Sequence, residues 1–199
     1  ALKRQMIRNF FVATLFSQGT PMILGGDEWM RTQYGNNYAY LDAADNEFNW
    51  FSWSNWKPDQ ERQRMFDFVK NAIALRKSLA PRFSPDGYEE VEFLHPDGGA
   101  PDWHSRSVMM HWPQNGDLPA VVSLINMDIA NEVTFKLPEV ADGWQVAVDT
   151  QLYYDWSDYI GDKDNKRISY NINPWGDAVL ESNNYGVKSR TIVILKQKQ

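Results

Sequence analysis

Apolar residues along this chain keep two rhythms, and the change between them marks its organisation. From Leu2 to about Ser17, Leu2, Met6, Phe10, Ala13 and Thr14 recur at helical spacing while Lys3, Arg4 and Arg8 lie elsewhere. This predicts an amphipathic helix with Gly19 as its stop. The short run Pro21-Met22-Ile23-Leu24 then predicts a buried parallel strand, closed by Gly25-Gly26. A second helix is expected from about Pro58 to Leu79. Pro58 and Asp59 suit its first turn, and Met65, Val69, Ala72, Ile73 and Leu79 mark one face. Pro81 and Pro85 end it and set a domain boundary near residue 85.

Beyond Tyr88 the period shortens to two. Alternating or β-branched runs occur at Val91–His95, Ser107–Trp112, Ala120–Asn126, Asn131–Leu137, Trp144–Val148, Arg167–Asn171 and Arg190–Lys196. Turn signals such as Pro96-Asp97-Gly98-Gly99, Asn115-Gly116-Asp117 and Ala141-Asp142-Gly143 separate them. Seven strands with no helix between them predict an antiparallel sandwich over residues 86–199. The Asp/Asn/Trp/Tyr-rich interval Tyr153–Lys166 reads as an extended loop. There is no internal repeat.

Composition narrows the function classes. The 199 residues are 43% hydrophobic and 23% charged, enough for a real core. A formal net charge of −6 with no Lys/Arg stripe argues against a nucleic-acid partner. No run of about 18 apolar residues predicts a membrane span. The absence of cysteine excludes disulfides, thiolate metal sites and a cysteine nucleophile, and suits a cytoplasmic setting. The chain opens on Ala1 inside a helical pattern, which reads as part of something longer.

The segment Gly19–Trp53 carries the candidate chemistry. An apolar run delivers a loop of acids, amides and aromatics, as a strand does at the mouth of a barrel. Asp27, Glu28, Arg31, Gln33, Asn36 and Asn37 can hydrogen-bond sugar hydroxyls, and Tyr34, Tyr38, Tyr40, Trp50 and Trp53 offer flat faces to a pyranose ring. Residue types alone leave open a long polar loop whose aromatics simply pack beneath it.

The order of the residues adds more. Gly19-Thr20-Pro21, Gly25-Gly26-Asp27-Glu28, Arg31-Thr32-Gln33, Gly35-Asn36-Asn37-Tyr38-Ala39-Tyr40, Asp45-Asn46-Glu47 and Trp50 to Trp53 together resemble the eighth-strand region of the α-amylase superfamily. The RTQ-x-GNN-x-AY segment is most similar to isoamylases and bacterial glycogen debranching enzymes. Tyr38 stands where many of those enzymes have a third asparagine. The resemblance covers about the first 80 residues by motif and the remainder by layout. It implies an α+β fragment: the last helix–strand–helix of a (β/α)8 barrel over residues 1–85, followed by an all-β antiparallel sandwich C-terminal domain over residues 86–199.

The same resemblance sets the expected chemistry. The parent would hydrolyse α-1,6 branch linkages of glycogen or a related α-glucan. Glycoside hydrolysis uses two carboxylates flanking the scissile bond, about 5–5.5 Å apart in a retaining enzyme. In the family these groups follow earlier barrel strands, so they would lie before Ala1. The chain alone is then expected to be inactive, with the upstream barrel segment of the same parent as its partner. Asp27, Glu28, Arg31, Asn36, Asn37, Tyr40, Trp50 and Trp53 are the substrate-binding candidates. Asp27, Glu28 and Arg31 are expected to form an ion-paired cluster at the pocket floor, while Trp50 and Trp53 suit stacking and packing equally.

Neither a cofactor nor a metal is expected. His95, His104 and His111 match no HxxxH or HExxH spacing, and the acidic stretches Asp42–Glu47 and Asp155–Asp164 lack the pattern of an EF-hand loop. A second reading is a stand-alone glucan-binding or interaction module using Trp112, Trp144 or Trp156. A third is an ordinary amylase or a branching enzyme.

Overall fold

The computed structural model describes residues 2–36, 46–54, 57–83, 91–151 and 179–199. Helix α1 spans Leu2–Leu15, but the stripe it buries is not the expected one. Arg8, Phe11, Val12 and Leu15 face inward, and Leu2, Phe10, Ala13 and Thr14 are exposed. The helix is apolar on two sides. Periodicity reveals a stripe, but only a packing partner decides which stripe is covered.

Helix α2 spans Gln60–Ser78 and starts one residue after Asp59. The Asp59 carboxylate accepts the backbone N–H groups of Glu61 and Arg62 at 3.0 and 3.2 Å, satisfying two donors that a helix start leaves free. Its inner face is Met65, Phe68, Val69 and Ala72, close to the expected set. The short helix α3 (Ala80–Phe83) follows directly and was not foreseen. Pro81 stands in its first turn, where a missing N–H costs nothing.

Arg76, in the last turn of α2, holds the end of α1. Its guanidinium donates to the carbonyls of Leu15 and Ser17 at 2.7 Å each, of Gly19 at 2.6 Å and of Phe83 at 3.2 Å. A cation thus caps the carbonyl end of α1, where the helix dipole favours positive charge. Gly19 adopts φ +91° at this exit, a conformation that suits glycine.

Among the described residues seven strands follow: β1 (Glu92–Leu94), β2 (Ser107–Trp112), β3 (Val121–Asn126), β4 (Val133–Lys136), β5 (Trp144–Asp149), β6 (Asn184–Val187) and β7 (Thr191–Gln197). One sheet has the order β1-β2-β3-β7-β5 and the other pairs β4 with β6, all antiparallel. Six strands match expected runs. The expected strand at Arg167–Asn171 and the loop Tyr153–Lys166 lie outside the described residues. Strand β6 was missed because Asn184-Tyr185-Gly186-Val187 carries a polar residue and a glycine where a strand pattern needs apolar ones.

Strands β2, β3, β7 and β5 of the five-stranded sheet are buried on both faces, which explains their near-continuous apolar runs, while the edge strand β1 is largely exposed. Ile192 and Ile194 of β7 join Val121 of β3 in a core shared with α1 and α2. Val193, Leu195, Val122 and Leu124 point the other way, into a core with Phe135 of β4 and Val187 of β6. A register shift between Val146 and Val148 puts both Ala147 and Val148 on the helical face.

Helix α1 is also fixed to the sheet by buried polar contacts. The Thr150 hydroxyl donates to Asn9 Oδ1 at 2.5 Å, and Asn9 Nδ2 donates to the Arg190 carbonyl at 2.7 Å. Arg8 Nε donates to the Thr150 carbonyl at 2.9 Å.

The expected strand at Pro21–Leu24 makes no ladder among the described residues. Its side chains still alternate. Ile23 packs on the helical core, while Met22 and Leu24 are 91% and 57% exposed. The expectation of a buried strand is therefore corrected: this segment is covered on one side only, because no other strand in the described structure lies beside it.

Candidate functional site

The segment leaves the helices through a tight turn at Gly26 (φ +101°). A Cβ there would sit 2.7 Å from Arg31 Cδ and 3.2 Å from a Phe51 ring carbon, so the position suits glycine for space as well as backbone angle. Asp27–Trp29 form one 3-10 turn, and the N–H groups of Trp29 and Arg31 both reach the Gly26 carbonyl, at 3.2 and 2.9 Å. Met30 follows at φ +63°.

The acids and Arg31 cluster, but not as the expected ion pair. Glu28 folds back, and its carboxylate accepts the Gly26 N–H at 2.7 Å. The Arg31 guanidinium donates to the Phe48 carbonyl at 2.7 Å, tying the near end of the loop to its far end. No ion pair joins Arg31 to either acid; Gly26 and Phe48, backbone partners within reach, take both charged groups. Burial pushes the Asp27 carboxyl above its ordinary value, a rise that Arg31 opposes and Glu28 reinforces.

Aromatic residues form the frame. Trp29 is buried, edge-on to Phe51 at 5.3 Å, with the Arg62 guanidinium 5.5 Å from its ring centre. Trp53 leans on Phe51 at 4.5 Å, and Tyr34 meets Phe48 edge-on at 6.4 Å. Tyr34, Trp50 and Trp53 present exposed rings. Asn36 is half-buried, and its N–H donates to the Gln33 carbonyl at 3.0 Å. Asn37, Tyr38 and Tyr40 lie outside the described residues, as does most of the acidic stretch Asp42–Glu47. Sequence reasoning passed over Trp29, Phe48 and Phe51, which hold the rim in shape. The signal for the two Phe residues was the aromatic spacing Phe48, Trp50, Phe51, Trp53, in which half-buried and exposed rings are interleaved.

Two clefts flank Pro21–Leu24. One, of about 270 Å³, lies against α1 and is lined by Ile7, Phe10, Met22, Asp27, Met30 and Arg31 among others. The other, of about 490 Å³, lies against α2 and includes Ile23, Gly25, Glu28, Phe66, Ile73 and Lys77.

The remaining candidates fall elsewhere. Trp112 and Trp144 are buried, with ring N–H groups donating to Gln18 Oε1 at 3.2 Å and to the Pro138 carbonyl at 2.9 Å. Neither can stack on a ligand as the binding-module reading required; Trp156 lies outside the described residues. His111 is buried with Nδ1 2.7 Å from Glu92, His95 pairs with Asp97 at 2.9 Å, and His104 is exposed. Among the described residues no group of three His, Cys, Asp or Glu side chains could hold a metal ion. No described helix is long and apolar enough to cross a membrane.

Comparison with known proteins shows the family to which this chain belongs. No family model matches the chain. It is 44% identical over 68 residues to a glycogen operon protein GlgX homolog of Haemophilus influenzae, covering 34% of this chain and 9% of that one. It is 30% identical over 169 residues to an isoamylase of Pseudomonas amyloderamosa, covering 78% of this chain and 20% of the relative. An isoamylase of Flavobacterium sp aligns with the whole chain at 26% identity, over 26% of its own length. The chain is a C-terminal part of the isoamylase and glycogen-debranching family of amylase-type glycoside hydrolases. It spans between 9% and 26% of the length of these three curated relatives.

Proposed function

We propose that this chain supplies the closing helix–strand–helix of a catalytic barrel and one wall of an α-glucan cleft, in a parent that hydrolyses α-1,6 branch linkages of glycogen or a related glucan. The observation that carries the reading is the half-covered segment Pro21–Leu24. Ile23 rests on the helices while Met22 and Leu24 face outward, the alternation of a barrel strand whose inner face awaits its neighbours. Clefts on both sides and the bare Phe10 face of α1 leave room for those neighbours. Residues 1–85 are then the end of the barrel and residues 86–199 a sandwich-type C-terminal domain.

In this reading Asp27, Glu28 and Arg31 shape the pocket floor, and Asn36, Asn37 and Tyr40 contact glucan hydroxyls. Trp50 and Trp53 stack on sugar rings from the rim. Asp27 and Glu28 are adjacent, and Glu28 is turned back onto Gly26, so they do not flank one bond as an acid and nucleophile must. The catalytic carboxylates come from the upstream barrel, and the chain alone is inactive. The stand-alone binding module is less well supported, since Trp112 and Trp144 are core residues.

The test is Leu24→Asp, made in the chain alone and in the parent. In the chain Leu24 is exposed, so stability changes by less than about 0.5 kcal/mol. In the parent the same change buries a charge, and debranching of glycogen collapses. An unaffected parent, or release of reducing ends from glycogen by the purified chain, would sink the proposal.

A further inference from the structure

A second group of exposed aromatic rings lies on the β part of the chain. Phe93, in the edge strand β1, and Trp103, in the β1–β2 loop, sit with ring centres 5.5 Å apart and planes inclined at 56°. They are 40% and 69% exposed. Neither belongs to either apolar core of the fold. Large aromatic faces left in water are unfavourable unless something covers them.

The loop backbone on either side of this pair is hydrogen-bonded. Asp102 accepts the His104 N–H at 2.9 Å, so the residues on both sides of Trp103 are locked in one turn. At the foot of the same loop His95 N–H donates to the Gly99 carbonyl at 2.9 Å, and the Asp97 carboxylate accepts the Gly99 N–H at 2.8 Å. Asp102 and His104, the chain neighbours of Trp103, are exposed polar residues. Exposed aromatic rings with polar residues next to them in the chain suit a ligand that is itself apolar on its faces and polar at its rim. A pyranose ring has that chemistry.

We propose that Phe93 and Trp103 form a second α-glucan platform, separate from the Gly25–Trp53 rim; the inference rests on the α-glucan reading of the parent. The net charge of −6 disfavours an anionic polymer and leaves a neutral polysaccharide unopposed. The inclined planes set the linkage preference. Successive rings of an α-1,4-glucan turn relative to one another, so two tilted faces meet two of them. A β-1,4-glucan is a flat ribbon and would meet one face only. A second platform makes the parent bivalent on a branched polymer, raising its residence there without any new contact in the cleft.

The experiment is affinity electrophoresis of the 199-residue chain through gels holding amylose or hydroxyethyl cellulose. The wild type is expected to be retarded by amylose and not by the cellulose derivative. Trp103→Ala weakens the amylose interaction about tenfold or more, the loss expected when an aromatic anchor is truncated. Trp103→Phe keeps part of it, and Ile129→Ala, at an exposed apolar residue outside both aromatic groups, leaves it intact. Unchanged melting temperatures show that each variant folds. Equal retardation of Trp103→Ala and wild type overturns the platform, as does equal retardation by both polymers or no retardation at all. The parent's release of reducing ends from glycogen is read separately. A parent that debranches, beside a chain that ignores amylose, refutes the platform and leaves the wider reading standing.

Discussion

Asn9→Ala tests whether the helical and β segments stand or fall as one unit. Asn9 is buried on α1 and reaches across to β-side residues 150 and 190. Its removal deletes both hydrogen bonds to the β side, each worth about 1 kcal/mol net, besides a weak contact with Met6 sulfur within α1. The two partners suffer differently. The Arg190 carbonyl keeps the Gln5 side-chain amide at 2.8 Å, whereas the Thr150 hydroxyl, in a residue with no exposed surface, loses its acceptor. A stranded buried donor adds about 1–3 kcal/mol, and some relaxation is expected, so the total is roughly 2–4 kcal/mol. For a chain of this size that lowers the melting temperature by about 4–16 °C. The assay is thermal unfolding followed in parallel by far-ultraviolet dichroism, dominated by α1 and α2, and by fluorescence, with Trp112 and Trp144 reporting the sheet. Both signals should move together by the same amount. If the fluorescence transition stays in place while only the helical signal shifts, the shared core does not couple the two segments and the reasoning fails. A cycle with Thr150→Val should show a coupling of at least about 0.5 kcal/mol.

Gly26→Ala forces a side chain into a left-handed backbone and against Arg31 Cδ at 2.7 Å; a stability loss of about 1–3 kcal/mol is expected by chemical denaturation, and a loss under 0.5 kcal/mol would count against the turn described. Trp29→Ala removes a buried aromatic frame and should cost roughly 3–5 kcal/mol, whereas Trp50→Ala should leave the melting temperature almost unchanged. Asp27→Asn should raise stability at pH 7. Burial lifts the Asp27 pKa above the ordinary 3.8, so the folded chain holds this proton more tightly than the unfolded one, and stability falls as pH rises from 3.8 through the raised value. The variant's advantage should vanish below pH 3.8; melting curves across pH that show no crossover would contradict the assigned cause. Arg76→Lys keeps the charge but cannot span four carbonyls, and the melting temperature should drop by several degrees.

Much of the β part was legible because a period of two is local. Ser107–Trp112 was read residue for residue, and the alternate faces of Ile192–Leu195 follow from the pleat alone. Strand β6 escaped, since its Asn and Gly are tolerated at an edge only because β4 supplies the ladder. At the candidate site, the types and order of Asp27, Glu28, Arg31, Trp50 and Trp53 were plain, but their pairing was not. Coulomb attraction suggested that Arg31 would join an acid; the backbone carbonyl of Phe48 was nearer and just as able to accept.

What the sequence by itself determined is most of the elements and the family: helix spacing, a two-residue period, and a motif order that resembles isoamylases and glycogen debranching enzymes, a family that the relatives show. Each depends on neighbours along the chain. Only the tertiary structure decided which stripe of α1 is buried, that β2, β3, β7 and β5 are covered on both faces, and that Met22 and Leu24 stand bare beside Ile23. Those outcomes depend on which surfaces meet across tens or hundreds of residues, and burial is settled by the partner present, not by the residue that seeks one.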